Sequence, residues 1–149
     1  MFMRPYRSDD YESCVEVIDS SVKTYCFADH GNDEKTIVAW CEAANKGLDT
    51  LEYGVVVWTI LSGVVGVGAL EGNKITLNYV ADHFTGVGIS TRMLDSLEHY
   101  IKLRHYDEVL LISTVAARHM YRKRGYTEVG VPMQGNGVSW NFPMAKRFA

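Results

Sequence analysis

Apolar positions recur at three- and four-residue intervals in three stretches of the chain. Tyr11, Cys14, Val15, Ile18 and Val22 mark the first. That spacing gathers them on one face of a helix over residues 8–23. Ser8 is expected to cap it, with Asp9 and Asp10 in a first turn that favours negative charge. Ile37, Cys41 and Ala44 predict a second helix, from residue 33 to a stop at Gly47. Ile89, Met93, Leu94, Leu97, Tyr100 and Ile101 predict a third over residues 86–103. Between the second and third helices the period changes. Residues 53–61, 64–70 and 74–80 are rich in β-branched side chains, and the turn pairs Ser62-Gly63 and Gly72-Asn73 separate them. This predicts an antiparallel meander. Residues 55–57 and 64–67 lack polar alternation, so helices should cover both faces of the sheet. A strand over 108–113, a short helix over 115–124 stopped by Gly125, and strands over 126–130 and 138–144 complete the pattern. The order β-α-α-β-β-β-α-β-α-β-β predicts an α/β (α+β) fold: a mixed, mostly antiparallel central sheet of about seven strands flanked by about four helices.

The 149 residues suit one domain, and no repeat, low-complexity tract or linker divides them. Net charge is -3, which does not suit a nucleic-acid partner. Cys14, Cys26 and Cys41 are odd in number and show no framework spacing, so a reducing, cytoplasmic setting is expected. Cys14 and Cys41 read as small core residues. Cys26 and His30 form no oriented nucleophile and base, and no metal is expected. The apolar run over residues 55–70 falls short of the ~20 residues of a membrane span. The first residues lack the pattern of a secretory signal, and no membrane partner is expected.

The densest chemical signal lies after the third strand. Thr85-Gly86-Val87-Gly88-Ile89-Ser90 opens the third helix. A helix N-terminus leaves backbone N–H groups unpaired and carries partial positive charge. Glycines let an anion approach that backbone closely, so a phosphate can bind without lysine. Ser90 and Thr91 add hydroxyls. Taken alone, the two glycines serve a tight bend equally well. A Walker A loop would need Gly-Lys-Ser/Thr, and a dinucleotide fingerprint would need a third glycine in a parallel βαβ unit. Neither is present.

The segment Val80-Ala81-Asp82-His83-Phe84-Thr85-Gly86-Val87-Gly88-Ile89-Ser90-Thr91-Arg92-Met93-Leu94 resembles the central motif of the GNAT (GCN5-related) family of acyl-CoA-dependent N-acyltransferases, Arg/Gln-x-x-Gly-x-Gly/Ala within a longer pattern. Val80, Gly86, Gly88, Ile89, Met93 and Leu94 fall in register. Thr85 stands in place of Arg or Gln, Ser90 in place of a small residue and Asp82 in place of proline. Ser113-Thr114, Ala117 and Met120-Tyr121-Arg122-Lys123-Arg124-Gly125-Tyr126 resemble the family's second block. Asn141-Phe142-Pro143-Met144-Ala145-Lys146, with Trp40, resembles a bacterial small-domain subgroup ending in Asn-Phe-x-Met-x-Lys.

The resemblance implies the GNAT fold and an acetyl-CoA (coenzyme A) site. The pyrophosphate would lie on the N–H groups of Val87, Gly88, Ile89, Ser90 and Thr91, and Thr85, Gly86 and Thr114 would also meet the cofactor. The pantetheine arm would pair with the strand end at Tyr79 and Val80, where splaying from residues 108–113 opens a slot. Arg92 or Arg122 could replace the phosphate contact that Thr85 lacks. The Val80 N–H is the implied oxyanion donor. Tyr121 is the implied general acid toward the leaving thiolate. Glu71 is the candidate base and Asp82 the alternative; each also reads as a solvated surface charge. Phe27, His30 and Trp140 would face the acceptor. The implied activity is acetyl transfer to a primary amine of a small molecule or protein in a ternary complex, by a monomer or homodimer. Two alternatives stand beside it: a non-catalytic acyl-CoA-binding module, and a nucleotide-binding protein using the same turn.

Overall fold

The computed structural model describes residues 1–30, 34–135 and 139–148, with backbone alone for residues 25–30, 135, 139 and 140. Its elements are β1 (Phe2–Pro5), α1 (Tyr11–His30), α2 (Glu34–Thr50), β2 (Tyr53–Thr59), β3 (Gly63–Glu71), β4 (Lys74–Val80), α3 (Ile89–Leu103), β5 (Glu108–Ser113), α4 (Arg118–Lys123), β6 (Thr127–Glu128), β7 (Met133–Gly135) and β8 (Ser139–Arg147). The strands lie in the order β1-β2-β3-β4-β5-β8-β6, with β7 paired to β8. The predicted meander is β2-β3-β4, antiparallel throughout. The sheet is mixed and mostly antiparallel, as the pattern predicts; its parallel pairing is β4 with β5.

The valine runs are apolar on both sides because both sides are buried. Val55, Val57, Val65 and Ile75 pack with Met93, Leu94, Leu97 and Ile101 of α3 and with Tyr121 of α4. Val56, Val67, Ala69 and Leu77 pack on the other face with Cys14, Ile18 and Val22 of α1 and Trp40 and Leu48 of α2. A bulge places Ile75 and Leu77 in opposite cores. Ala69 pairs with Leu77 but Leu70 pairs with Ile75, so Thr76 has no counterpart. Glycines set the depth of α3: a Cβ on Gly66 would lie 3.0 Å from Ile89, and one on Gly68 3.0 Å from Leu97.

Several expected boundaries change. Residues 8–10 form a 3-10 turn, and Ser8 is not its cap. Asp10 instead accepts the Arg7 N–H at 2.8 Å and both terminal guanidinium nitrogens of Arg4 at 2.8 Å. Helix α1 continues beyond residue 23 to His30. Gly47 lies inside α2 rather than after it, because a Cβ there would come within 2.9 Å of Leu77. Close approach to β4, not chain reversal, explains that glycine. A 3-10 turn over Asp82–Phe84 precedes α3, which starts at Ile89. Helix α4 is confined to six residues. The strand expected over 126–130 shortens to Thr127–Glu128, β7 is additional, and the last strand runs Ser139–Arg147.

Candidate active site

Strands β4 and β5 pair at Lys74↔Leu110 and Ile75↔Leu111 and then separate. Beyond that point β4 keeps β3 as its neighbour and β5 keeps β8. The wedge between them is a cleft of about 360 Å³, bounded by β4, the turn into α3, β5 and α4. Its lining brings together Tyr79, Val80, Thr85, Gly86, Gly88, Ile89, Ser90, Thr91, Thr114 and Tyr121, all singled out from sequence. Val87, 58% exposed, is not among the lining residues. Glu71 is not brought to the cleft either. It pairs with Lys74 at the closed end of the wedge, and its side chain is exposed. The side chains of Phe27, His30 and Trp140 lie outside the described residues.

At one end of the cleft stands the α3 N-terminus. Gly86 and Gly88 have φ of 81° and 85°, a left-handed backbone that glycine adopts without strain. A Cβ on either would meet nothing within 4 Å, so these glycines set backbone direction and leave open space. No side chain caps α3. Its first intrahelical bond runs from the Arg92 N–H to the Gly88 carbonyl at 3.1 Å, which leaves the N–H groups of Ile89, Ser90 and Thr91 without intrahelical acceptors. The Thr85 hydroxyl is turned inward, donating to the Asp82 carbonyl at 3.1 Å. It does not take the place of an extended arginine. Arg92 and Arg122 are not among the lining residues, and Arg122 is paired with Glu128.

The open edge of β4 follows from its register. The Ala81 N–H donates to the Val65 carbonyl at 2.8 Å. In an antiparallel ladder consecutive residues point their backbone groups to opposite sides, so Asn78 and Val80 direct theirs toward the gap. The Val80 carbonyl accepts the buried Ser21 hydroxyl of α1. Tyr121 closes the cleft from α4. It is 6% exposed, packs edge-on against Tyr126 with ring centroids 5.5 Å apart, and accepts the Asn78 Nδ2 at 3.2 Å. On the opposite face of β4, the Trp40 indole N–H donates to the Tyr79 hydroxyl at 3.2 Å.

Three polar residues of this region escape sequence reasoning: Ser21, Thr76 and Asn78. The last two line the cleft, and the Thr76 Oγ1 and Asn78 Oδ1 atoms are buried without a hydrogen-bond partner among the described residues. The available signal was the polar alternation of Lys74, Thr76 and Asn78 in a strand otherwise apolar or aromatic. Among the described residues that line the cleft, none carries a formal charge. Asp82, the alternative base, is exposed and accepts the Thr24 hydroxyl at 2.6 Å. Burial pushes the Cys14 thiol up to about 12, consistent with a packed, unreactive residue. Among the described residues no cluster of His, Cys, Asp and Glu could hold a metal ion, and no helix is long and apolar enough to cross a membrane.

The cleft fits coenzyme A on its own geometry. It offers uncapped N–H groups for phosphate, an open strand edge for an amide chain, and orphaned buried oxygens beside a phenol. Comparison with known proteins agrees. The chain superposes on a GCN5-related N-acetyltransferase from Rhodopseudomonas palustris with TM-score 0.84 at 24% identity, over 99% of this chain and 95% of that one. The PaiA N-acetyltransferase of Thermoplasma acidophilum, solved with coenzyme A, gives TM-score 0.72 at 18% identity over 99% and 100%. A ribosomal-protein-alanine N-acetyltransferase from Brucella melitensis gives 0.69 at 17% over 99% and 100%. No curated protein matches the sequence. The family described as the acetyltransferase (GNAT) domain matches residues 27–148. The chain belongs to this family, and the protein is an acyl-CoA-dependent N-acetyltransferase.

Proposed function

We propose that the protein transfers the acetyl group of acetyl-CoA directly to a primary amine of a small molecule or protein, with both substrates bound together. The observation that carries this is the wedge itself, with the uncapped α3 N-terminus at one end and the buried Tyr121 phenol beside the open edge of β4. Backbone N–H groups of residues 88–91 hold the pyrophosphate. The Val80 N–H meets the carbonyl oxygen as negative charge builds on it. The amine nitrogen, entering as the neutral base, bonds to the acetyl carbon, the carbon–sulfur bond breaks, the departing sulfur takes the Tyr121 proton, and the proton shed by the nitrogen returns through water to the Tyr121 phenolate. The Asn78 amide, donating to the same phenol oxygen, offsets the charge that oxygen acquires. Phe27, His30 and Trp140 face the acceptor, between the end of α1 and the start of β8.

The uncharged lining favours one competing reading, a module that binds acyl-CoA without turnover. The first test is ligand-dependent stability. A ligand at about 100 times its Kd raises stability by about 2.7 kcal/mol, so coenzyme A should raise the melting temperature while NAD and ATP leave it unchanged. The second is release of free thiol from acetyl-CoA across an amine panel, where Tyr121→Phe should lower kcat about 100-fold. An unaffected Tyr121→Phe variant would remove Tyr121 from the mechanism. Binding without release for any amine would favour the module.

A further inference from the structure

We infer that Asn78 is a two-sided positioning residue, its Nδ2 holding the Tyr121 phenol and its Oδ1 accepting an amide N–H of the pantetheine arm. The inference rests on the acetyl-CoA reading. Asn78 lies on the part of β4 that has left β5, on the face shared with Tyr121. Half of its carboxamide is committed, through the 3.2 Å bond to the Tyr121 hydroxyl. The other half is buried and has no partner among the described residues. A buried amide oxygen is unfavourable unless something donates to it.

The donor class follows from the backbone beside it. An extended chain lying along an open strand edge presents amide N–H groups that seek strand carbonyls. On this edge the Val80 carbonyl already accepts the Ser21 hydroxyl. The Asn78 Oδ1 adds an acceptor beside the Asn78 backbone carbonyl, on an edge where the Val80 carbonyl is already engaged by α1. The Thr76 hydroxyl, orphaned in the same way two positions earlier, extends the same polar track along the cleft wall. A donor on Oδ1 also polarises the Asn78 amide and strengthens its bond to Tyr121. Occupation of the arm site thus reaches the proton donor through one side chain.

The test uses Asn78→Leu, close in volume and lacking both functions, with calorimetric titration of two ligands: coenzyme A, and its 3′-phospho-ADP half, which keeps the pyrophosphate and lacks the arm. The expected result is a Kd for coenzyme A raised about tenfold, with the 3′-phospho-ADP affinity unchanged. Because Asn78 acts through Tyr121, adding Asn78→Leu to Tyr121→Phe should lower kcat no further. Undiminished coenzyme A affinity would overturn the inference. So would equal weakening of both ligands, which would mean that Asn78 serves only the fold, or a full additional loss of kcat in the double variant. A wild-type protein that binds neither ligand would instead defeat the acetyl-CoA reading beneath it.

Discussion

Asp10 does the work that the sequence assigns to Ser8. Serine before two acids is a common helix start, and nothing local reveals that the second acid folds back on Arg4 of β1. The bond to Arg4 chiefly, and the Arg7 N–H, hold the Asp10 carboxyl below its ordinary value of 3.8. A depressed carboxyl contributes stability above its unfolded pKa, and that contribution is lost as pH falls through the folded value. Asp10→Asn should therefore cost about 2 kcal/mol at neutral pH, with the gap to wild type closing below pH 3.8. Urea unfolding of both proteins at neutral and acidic pH measures this; a gap that ignores pH would show that the charge contributes nothing. Gly86 and Gly88 were legible because only glycine takes their backbone cheaply. Asn78 was not legible, because an orphaned oxygen is a property of its surroundings.

At the scale of elements, helical and strand periods were the strongest signals, and they placed the helices and the meander correctly. The misses have local causes. No glycine or proline follows Lys23 until Gly31, so α1 had no reason to stop where its apolar stripe thins. Gly47 reads as a terminator, yet it marks contact with β4. That reassignment gives a prediction of unusual sign. In an open helix Gly→Ala gains about 1 kcal/mol. Here the new methyl would meet Leu77 Cδ2 and Cγ at 2.9 Å, and Leu77 is 2% exposed, packed in the core beneath α1 and α2. Overpacking costs about 1–3 kcal/mol, so Gly47→Ala should lose about 1 kcal/mol net in urea unfolding. Leu77→Val should cost less in the Gly47→Ala background than in wild type, because it vacates the contested space. A stabilised Gly47→Ala protein would refute the close-approach explanation.

The whole molecule is two half-sheets joined along a short parallel contact, Lys74↔Leu110 and Ile75↔Leu111. Neither period nor composition could show this, since residues 74–80 and 108–113 both read simply as strands; only the family resemblance implied a splay. Helix α3 keeps the halves together. It packs closely over β3 through Gly66 and Gly68, and its buried Glu98 accepts the Tyr126 hydroxyl at 2.9 Å and the Lys146 Nζ at 2.8 Å from the other half. Burial, then Glu98, pushes the Tyr126 phenol far above its usual range, so its hydroxyl stays a donor to Glu98. The wedge can thus stay open without loosening the fold, and amide exchange along β4 should record it. The N–H groups of Tyr79 and Ala81 face β3, while those of Asn78 and Val80 face the gap. Without ligand, Asn78 and Val80 should exchange faster than Tyr79 and Ala81, alternating residue by residue in an NMR-detected experiment. Saturating acetyl-CoA, whose acetyl carbonyl accepts the Val80 N–H, should slow the Val80 amide more than tenfold beyond the uniform protection that global stabilisation gives every core amide. Equal exchange at Val80 and Ala81 before ligand would mean that the gap is closed in solution. Uniform slowing after ligand would mean that acetyl-CoA binds without lying along this strand.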